Sequence, residues 1–351
     1  VVHTRGRFDV QPGSRCRLLE IGVGAVGTGD DCEGSTGMDA RIARLVEERG
    51  PQTGAEIRDE LGDEPFAQWK ACMLSPDLVV RRVGTRYLRL DQRVEGYARL
   101  SPSILREFLT YSVVGLADDP AALQHRAEGI ARHVREVTRS KLELARTVVS
   151  AIGAAVATGD RSAAPRGAIA EAAFAEERFC VIIAGDIVYD MAHDVPRPER
   201  STGRLVRGSD LDIVVVVDDG APEELIDEID EAIYRQKYRT LINPAVREEI
   251  DYIVKPLGRL REQAEFDTFK KMVACKILHE GMLLYGSREL FEAAKKLLTA
   301  YGVIGRLEAM EAAAVSARAE AEATLLATDQ AVLEGEELYL FYTAEESEEF
   351  E

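Results

Sequence analysis

The chain has 351 residues, 46% of them hydrophobic and 30% charged, with a formal net charge of −18. That length buries a sizeable core and holds two or three modules, while the acidic balance excludes a surface coated with cations for nonspecific nucleic-acid binding. No apolar run approaches the roughly 20 residues that a membrane-spanning helix needs, so no membrane partner is expected.

Five cysteines, Cys16, Cys32, Cys72, Cys180 and Cys275, are scattered with no close pair. That pattern argues against a disulfide framework or a cysteine zinc site, and for a reducing, cytoplasmic setting. The charged, glycine-rich start carries no secretory pattern. Leu18 to Gly27 contains a formal Gly-x-Gly-x-x-Gly (Gly22, Gly24, Gly27). A dinucleotide site needs a helix directly after that motif, and Thr28 to Gly37 cannot form one, so the motif is set aside. Residues 1–37 read as a disordered extension, with Met38 as an alternative start.

From Met38 the pattern becomes regular. Ile42, Leu45 and Val46 mark a helix over Ala40–Glu48; Thr53 caps a second over Gly54–Leu61; a third runs Asp63–Leu74. Leu78–Val83 and Arg86–Leu90 then flank Gly84-Thr85 as a hairpin. Three helices and a hairpin over 38–95 look like a winged helix. Its basic wing, Arg81, Arg82, Arg86 and Arg89, suits the phosphate backbone of RNA or DNA. A protein-protein or inter-domain module with a solvated wing fits equally.

Residues 96–165 read as a helical connector. Ser101-Pro102 is expected to open a helix through about Val114, and a long helix is expected from Pro120 to about Ala157. Gly159–Gly167 reads as a linker and Ala168–Glu177 as a helix. His125 and His133 have no nearby third ligand and are assigned to a polar face.

Phe179–Ala184 is an apolar strand ending in Gly185-Asp186. Ile213–Val217 is a β-branched run that reads as a buried strand, with Asp210 and Asp212 at its entrance. Side chains two apart in a strand project the same way. Two carboxylates on one face repel unless a cation lies between them, and magnesium, a hard ion, takes oxygen ligands. A helix from Pro222 to about Leu241 and a strand Ile250–Val254 follow. Asp251 sits within that strand and is costly to bury without a partner or a metal. The segment from Asp190 to Arg207 carries Arg197, Arg200, Arg204 and Arg207. Arg204 and Arg207, nearest Asp210 in sequence, are the candidates for phosphate; solvation of a flexible loop is the plainer alternative.

From Phe179 to Gly286 this constellation resembles the nucleotidyltransferases of the DNA polymerase β superfamily. Their pattern is a Gly-Ser or Gly-Gly after one strand, an Asp-x-Asp on the next and a third carboxylate on a later one. The resemblance implies a nucleotidyltransferase core with a mixed sheet over 166–290; with the winged-helix-like module and helical connector read above and a helical region over 291–335, the chain is expected to be an α+β, multidomain protein. It implies a magnesium- or manganese-dependent enzyme that binds an NTP such as ATP and transfers its NMP to an acceptor hydroxyl on an RNA end, a protein or a small molecule. Asp210, Asp212 and Asp251 are then the catalytic metal ligands. Gly185, Asp186, Ser209, Arg204, Arg207, Lys270 and Lys276 surround the nucleotide. Two features depart from the family: Asp186 stands where Ser or Gly is expected, and the Asp190–Arg207 loop is long. A nucleic-acid-binding regulator or sensor with a decayed core is the rival reading.

Beyond Asp251 a helix is expected from about Leu260 to His279, then a short strand to Gly286. Helices follow over Glu289–Tyr301 and Arg306 to about Leu333. Residues 336–351 read as a solvated acidic tail, with eight glutamates and no basic residue after Ala331. No pattern defines an oligomeric state.

Overall fold

Two layers of helix enclose a four-stranded mixed sheet, and a second, smaller sheet belongs to the N-terminal module. The computed structural model describes residues 37–158, 177–199, 201–328 and 336–342. Expectations for 1–36, for the 159–176 linker and helix, and for 343–351 lie outside the described residues. The chain is mixed α+β, and no described helix is long and apolar enough to cross a membrane.

The N-terminal module comprises α1 (Met38–Arg49), β1 (Gln52–Thr53), α2 (Gly54–Leu61), α3 (Pro65–Leu74) and β2 (Leu78–Arg82). Helix α2 starts in a capping box: Thr53 Oγ1 accepts the Glu56 amide at 3.2 Å, and Glu56 Oε2 accepts the Thr53 amide at 2.7 Å. Ile42, Ile57, Phe66 and Trp69 form the core of this module. Leu325 and Phe341, from the far end of the chain, are buried in the same core. Phe341 belongs to α11 (Glu336–Phe341), so the start of the expected acidic tail is anchored by this one side chain while Leu338, Tyr339 and Leu340 stay exposed.

The expected hairpin does not form. Strand β2 pairs antiparallel with β5 (Ser112–Leu116), in a sheet of order β1-β5-β2. Strand β3 (Tyr87–Leu90) pairs instead with β4 (Ala98–Ser101). Nonlocal burial explains the difference: β2 pairs with the buried Val113 and Val114 of β5, whereas Leu88 and Leu90 of β3 are buried with Ala98 and Leu100 of β4 in the core beneath the main sheet. The helix expected through Val114 is correspondingly short: α4 spans Ile104–Tyr111 and is capped by Ser103, not Ser101. Helix α5 (Pro120–Thr158) follows.

The main sheet has the order β10-β9-β6-β11. Strands β6 (Phe179–Ala184) and β9 (Leu211–Val217) are antiparallel, β9 and β10 (Ile250–Pro256) parallel, and β11 (Met282–Gly286) antiparallel to β6. A short hairpin of β7 (Pro196–Pro198) and β8 (Leu205–Arg207) precedes β9. Both faces of the sheet are covered, which is why its strands read as unbroken apolar runs. On one face Val181, Ile183, Ile213 and Val215 pack against α5 and α6 (Glu223–Ile242). On the other, Cys180, Ile182, Val214 and Val216 pack against four helices: α7 (Leu257–Gln263), α8 (Phe269–Glu280), α9 (Arg288–Ala300) and α10 (Val303–Ala327). The single helix expected over 260–279 is therefore two, broken where Phe266 takes a positive φ of 58°.

Candidate active site

Strand β6 ends where β9 and β10 begin, so three chain segments open onto one edge of the sheet. The register places Asp212 opposite Asp251 on β10 and opposite Ala184 on β6. Asp212 and Asp251 are thus cross-strand neighbours, with Asp210 two residues upstream of Asp212 on the same side. Gly185 follows Ala184 with a φ of +73°. A Cβ there would lie 3.1 Å from Asp212 Cγ and closer still to its Oδ2. Only glycine permits both the backbone conformation and the approach of the carboxylate.

Protein cations meet two of these carboxylates. Arg197 Nη2 lies 3.2 Å from Asp210 Oδ2, Arg197 Nη1 lies 2.7 Å from Glu249 Oε2, and its Nε donates to the Gly208 carbonyl at 2.8 Å. Lys237 Nζ lies 3.1 Å from Asp251 Oδ1. Burial raises the Asp210 carboxyl above its ordinary value, Arg197 opposes, and Asp251 and Asp186 push it further up. Glu249 is raised in the same way, by burial first, with Arg197 opposing. Among the described residues no group of three or more His, Cys, Asp or Glu side chains stands ready-made for a metal ion. Asp212 and Asp251 are adjacent, while Asp210 is turned to Arg197, because clustered carboxylates need a counter-charge. The donor chemistry still fits a hard divalent ion: oxygen-only ligands, an anionic neighbourhood that resists ionisation, and a glycine where a side chain would intrude.

The Gly185-Asp186 turn is held from several sides. Asp186 accepts hydrogen bonds from the Tyr87 hydroxyl, from Arg106 at 3.3 Å and from Ser209 Oγ at 2.7 Å. Burial opposes ionisation of Asp186, yet Arg106 and these hydrogen bonds hold its carboxyl well below the usual carboxylate range. Ser209 Oγ in turn accepts the His193 amide at 3.1 Å. Glu280 Oε1 accepts the Gly185 amide at 3.1 Å, and Glu280 Oε2 accepts the Tyr189 hydroxyl at 2.6 Å. Lys276, one turn earlier on α8, pairs with Glu280 at 2.8 Å, and its ammonium lies over the stacked rings of Tyr87 and Tyr189. Asp186 and Lys276, expected beside phosphates, are thus engaged inside the protein. A carboxylate and an ammonium buried this deeply require partners of their own.

Gly185, Asp186, Ser209, Asp210, Asp212 and Asp251 come together. Lys276 supports the Gly185 turn through Glu280, and the other expected residues lie elsewhere. Arg204 is exposed in the β7–β8 turn. Arg207 lines a cavity of about 790 Å³, with Lys141, Arg247 and Glu248, that none of the three aspartates lines. Hairpin pairing explains this, because Arg197 lies opposite Val206 and is the arginine carried to Asp210. Lys270 is exposed at the start of α8, ten residues or about 15 Å along the helix from Glu280. In the wing region Arg82 and Arg86 are neutralised within a cluster with Glu107, Glu322 and Arg318; Arg86 reaches Glu107 Oε2 at 2.7 Å. Arg89 stands opposite Arg99 in the β3–β4 ribbon, and Arg81 is exposed outside that cluster. The contiguous basic wing is corrected accordingly.

Arg197, Lys237, Glu249 and Lys141 were not singled out from the sequence as site residues. Lys141 is 3% exposed, and its ammonium donates to the Arg207 and Ser209 carbonyls at 2.6 and 2.7 Å and to Glu248 at 2.6 Å, fixing the approach to Asp210. The signal for these cations was Glu248-Glu249 directly before a buried strand, since two carboxylates entering a core require partners. No protein-family model, curated protein or solved structure matches the chain, so the functional reading rests on this geometry.

Proposed function

We propose that the chain is a metal-dependent nucleotidyltransferase that moves an NMP from an NTP to an acceptor hydroxyl and releases pyrophosphate, with a core like that of the DNA polymerase β superfamily. The observation that carries the proposal is the register of Asp212 against Asp251 beside the Gly185 turn, with Asp210 two residues away. In this reading Asp210 and Asp212 hold magnesium or manganese, and Asp251 completes the set beside the acceptor. A bound divalent ion supplies charge neutralisation at the phosphates and lowers the pKa of the acceptor hydroxyl.

The chain's own residues do the remaining work. Gly185 lets the Asp212 carboxylate close onto the turn at the sheet edge because it has no side chain. Asp186, gripped by Tyr87 and Arg106, fixes Ser209 at the rim. Arg197 holds Asp210 until a stronger cation competes for it, and its guanidinium is then placed to pair with a phosphate oxygen. Positioning and charge stabilisation provide most of the rate in such chemistry.

A second reading, a sensor whose core binds a nucleotide without turnover, is favoured by the cations already on Asp210 and Asp251. Calorimetric titration with NTP and magnesium, paired with a pyrophosphate assay, separates the two. Pyrophosphate release supports the transferase; binding without release supports the sensor.

A further inference from the structure

Beside the junction of β8 and β9 lies the cavity of about 790 Å³ that none of the three aspartates lines. Its volume falls within the roughly 300–1,000 Å³ of small-molecule sites. One wall is helix α5, where His133, Glu136 and Ser140 recur three and four residues apart and so share a face. The remaining lining comes from Asp194, the β7–β8 hairpin and the loop between α6 and β10.

The two ends of the cavity differ in charge. At one end the Lys141 ammonium spends its three donors on the Arg207 and Ser209 carbonyls and the Glu248 carboxylate. The Arg207 amide donates to the Arg247 carbonyl at 2.9 Å, which sets the two arginines side by side. Glu248 is taken up by Lys141, and neither guanidinium has a carboxylate partner among the described residues. Arg247 also holds a φ of 52°, a backbone conformation that costs a residue with a side chain about 1–2 kcal/mol. The other end lies two turns earlier on α5, about 12 Å away. There His133 Nε2 is 3.2 Å from Asp194 Oδ1. Between the ends the exposed Glu136 carboxylate has no partner among the described residues.

We propose that this cavity binds a small phosphomonoester of the sugar-phosphate class, with its phosphate between Arg207 and Arg247 and its hydroxyls toward Glu136 and Asp194. A phosphomonoester carries about two negative charges at neutral pH. Two guanidinium forks without a protein counter-ion match that charge and the geometry of its oxygens. Ionised carboxylates only accept hydrogen bonds, so the far end calls for hydroxyl donors and repels a second phosphate. The occupant is therefore distinct from the NTP of the transferase reading, and its binding does not depend on that reading.

The test is calorimetric titration of the full chain, in chelator and without NTP, with ribose 5-phosphate, AMP, inorganic phosphate, ribose and fructose 1,6-bisphosphate as probes. Wild type is expected to bind ribose 5-phosphate or AMP one to one, more tightly than inorganic phosphate, and to leave ribose unbound. Tighter binding of AMP identifies a nucleotide as the source of the sugar phosphate; tighter binding of ribose 5-phosphate identifies the free sugar. Fructose 1,6-bisphosphate should bind more weakly than the better of the two. Arg247→Gly removes a guanidinium from a backbone position that glycine favours, so it should melt close to wild type yet bind about tenfold more weakly or worse. Arg207→Gln is expected to weaken binding likewise, and Arg204→Ala, on the same hairpin but outside the cavity, to leave it unchanged. The proposal is overturned if wild type binds neither sugar phosphate, or if inorganic phosphate or the bisphosphate binds as tightly as they do. It is equally overturned if a folded Arg247→Gly or Arg207→Gln binds as wild type does, or if Arg204→Ala abolishes binding. Because no metal or NTP is present, failure of the transferase reading alone leaves this binding result standing.

Discussion

Replacing Gly185 with alanine isolates the contact on which the candidate site is built. Two separate penalties follow. A φ of +73° costs an L-residue about 1–2 kcal/mol, which lowers Tm by about 1–3 °C in a chain of this size. The new methyl also meets Asp212 Cγ at 3.1 Å and Oδ2 closer still, so the carboxylate must move by about 1 Å to restore van der Waals distance. A displacement of that size at reacting groups costs about 100-fold in rate. Gly50→Ala is the matched control, because Gly50 has a φ of +78° and nothing within 4 Å of an added Cβ. Both variants are expected to lose similar thermal stability by differential scanning fluorimetry. Only Gly185→Ala should lose about 100-fold in pyrophosphate release. Equal activity in the two variants would refute the placement of Asp212 at the reacting centre.

Arg197→Gln leaves Asp210 and Glu249 without their guanidinium, and calorimetry is expected to show Mn2+ bound about three- to tenfold more tightly; unchanged affinity counts against competition between Arg197 and a cation. Lys276→Met strands Glu280, whose side chain is 2% exposed, and should cost about 3–5 kcal/mol in urea unfolding, with Lys276→Met plus Glu280→Gln recovering part of it. Burial opposes ionisation of Glu199, but hydrogen bonds from Ser201 and Thr202 bring its pKa from 4.5 to about 2. A carboxyl depressed on folding contributes stability that is complete above pH 4.5 and lost as pH falls to about 2. Glu199→Gln should therefore flatten the Tm profile across that window; an unaltered profile means that the carboxylate does not hold the β7–β8 hairpin.

Much of the main sheet is legible in the sequence because it is buried on both sides. Phe179–Ala184 and Ile213–Val217 are continuous apolar runs, and both lie inside strands β6 and β9. The α2 boundaries follow from Thr53 and Gly62, where local hydrogen bonding decides the ends. What was not legible depends on nonlocal pairing. Ser112–Leu116 continues a helical pattern in sequence, and becomes a strand only because β1 and β2 flank it in space. Pro196 and Pro198 argue against a strand, yet an edge ribbon of two short strands tolerates them and carries Arg197 to Asp210. The pair Asp210 and Asp212 was readable from spacing alone, whereas the cations beside Asp210 and Asp251 come from residues 13 and 14 positions away in the chain.

Radiolabel transfer decides whether the three aspartates act as proposed. Wild type and Asp212→Asn are incubated with each α-phosphate-labelled NTP and an RNA pool, with magnesium and with chelator, and the acceptor fraction is counted. Wild type should transfer label only with magnesium, and Asp212→Asn should lose at least about 1,000-fold while melting as a folded protein. Transfer that persists in chelator, or a fully active Asp212→Asn, would contradict it.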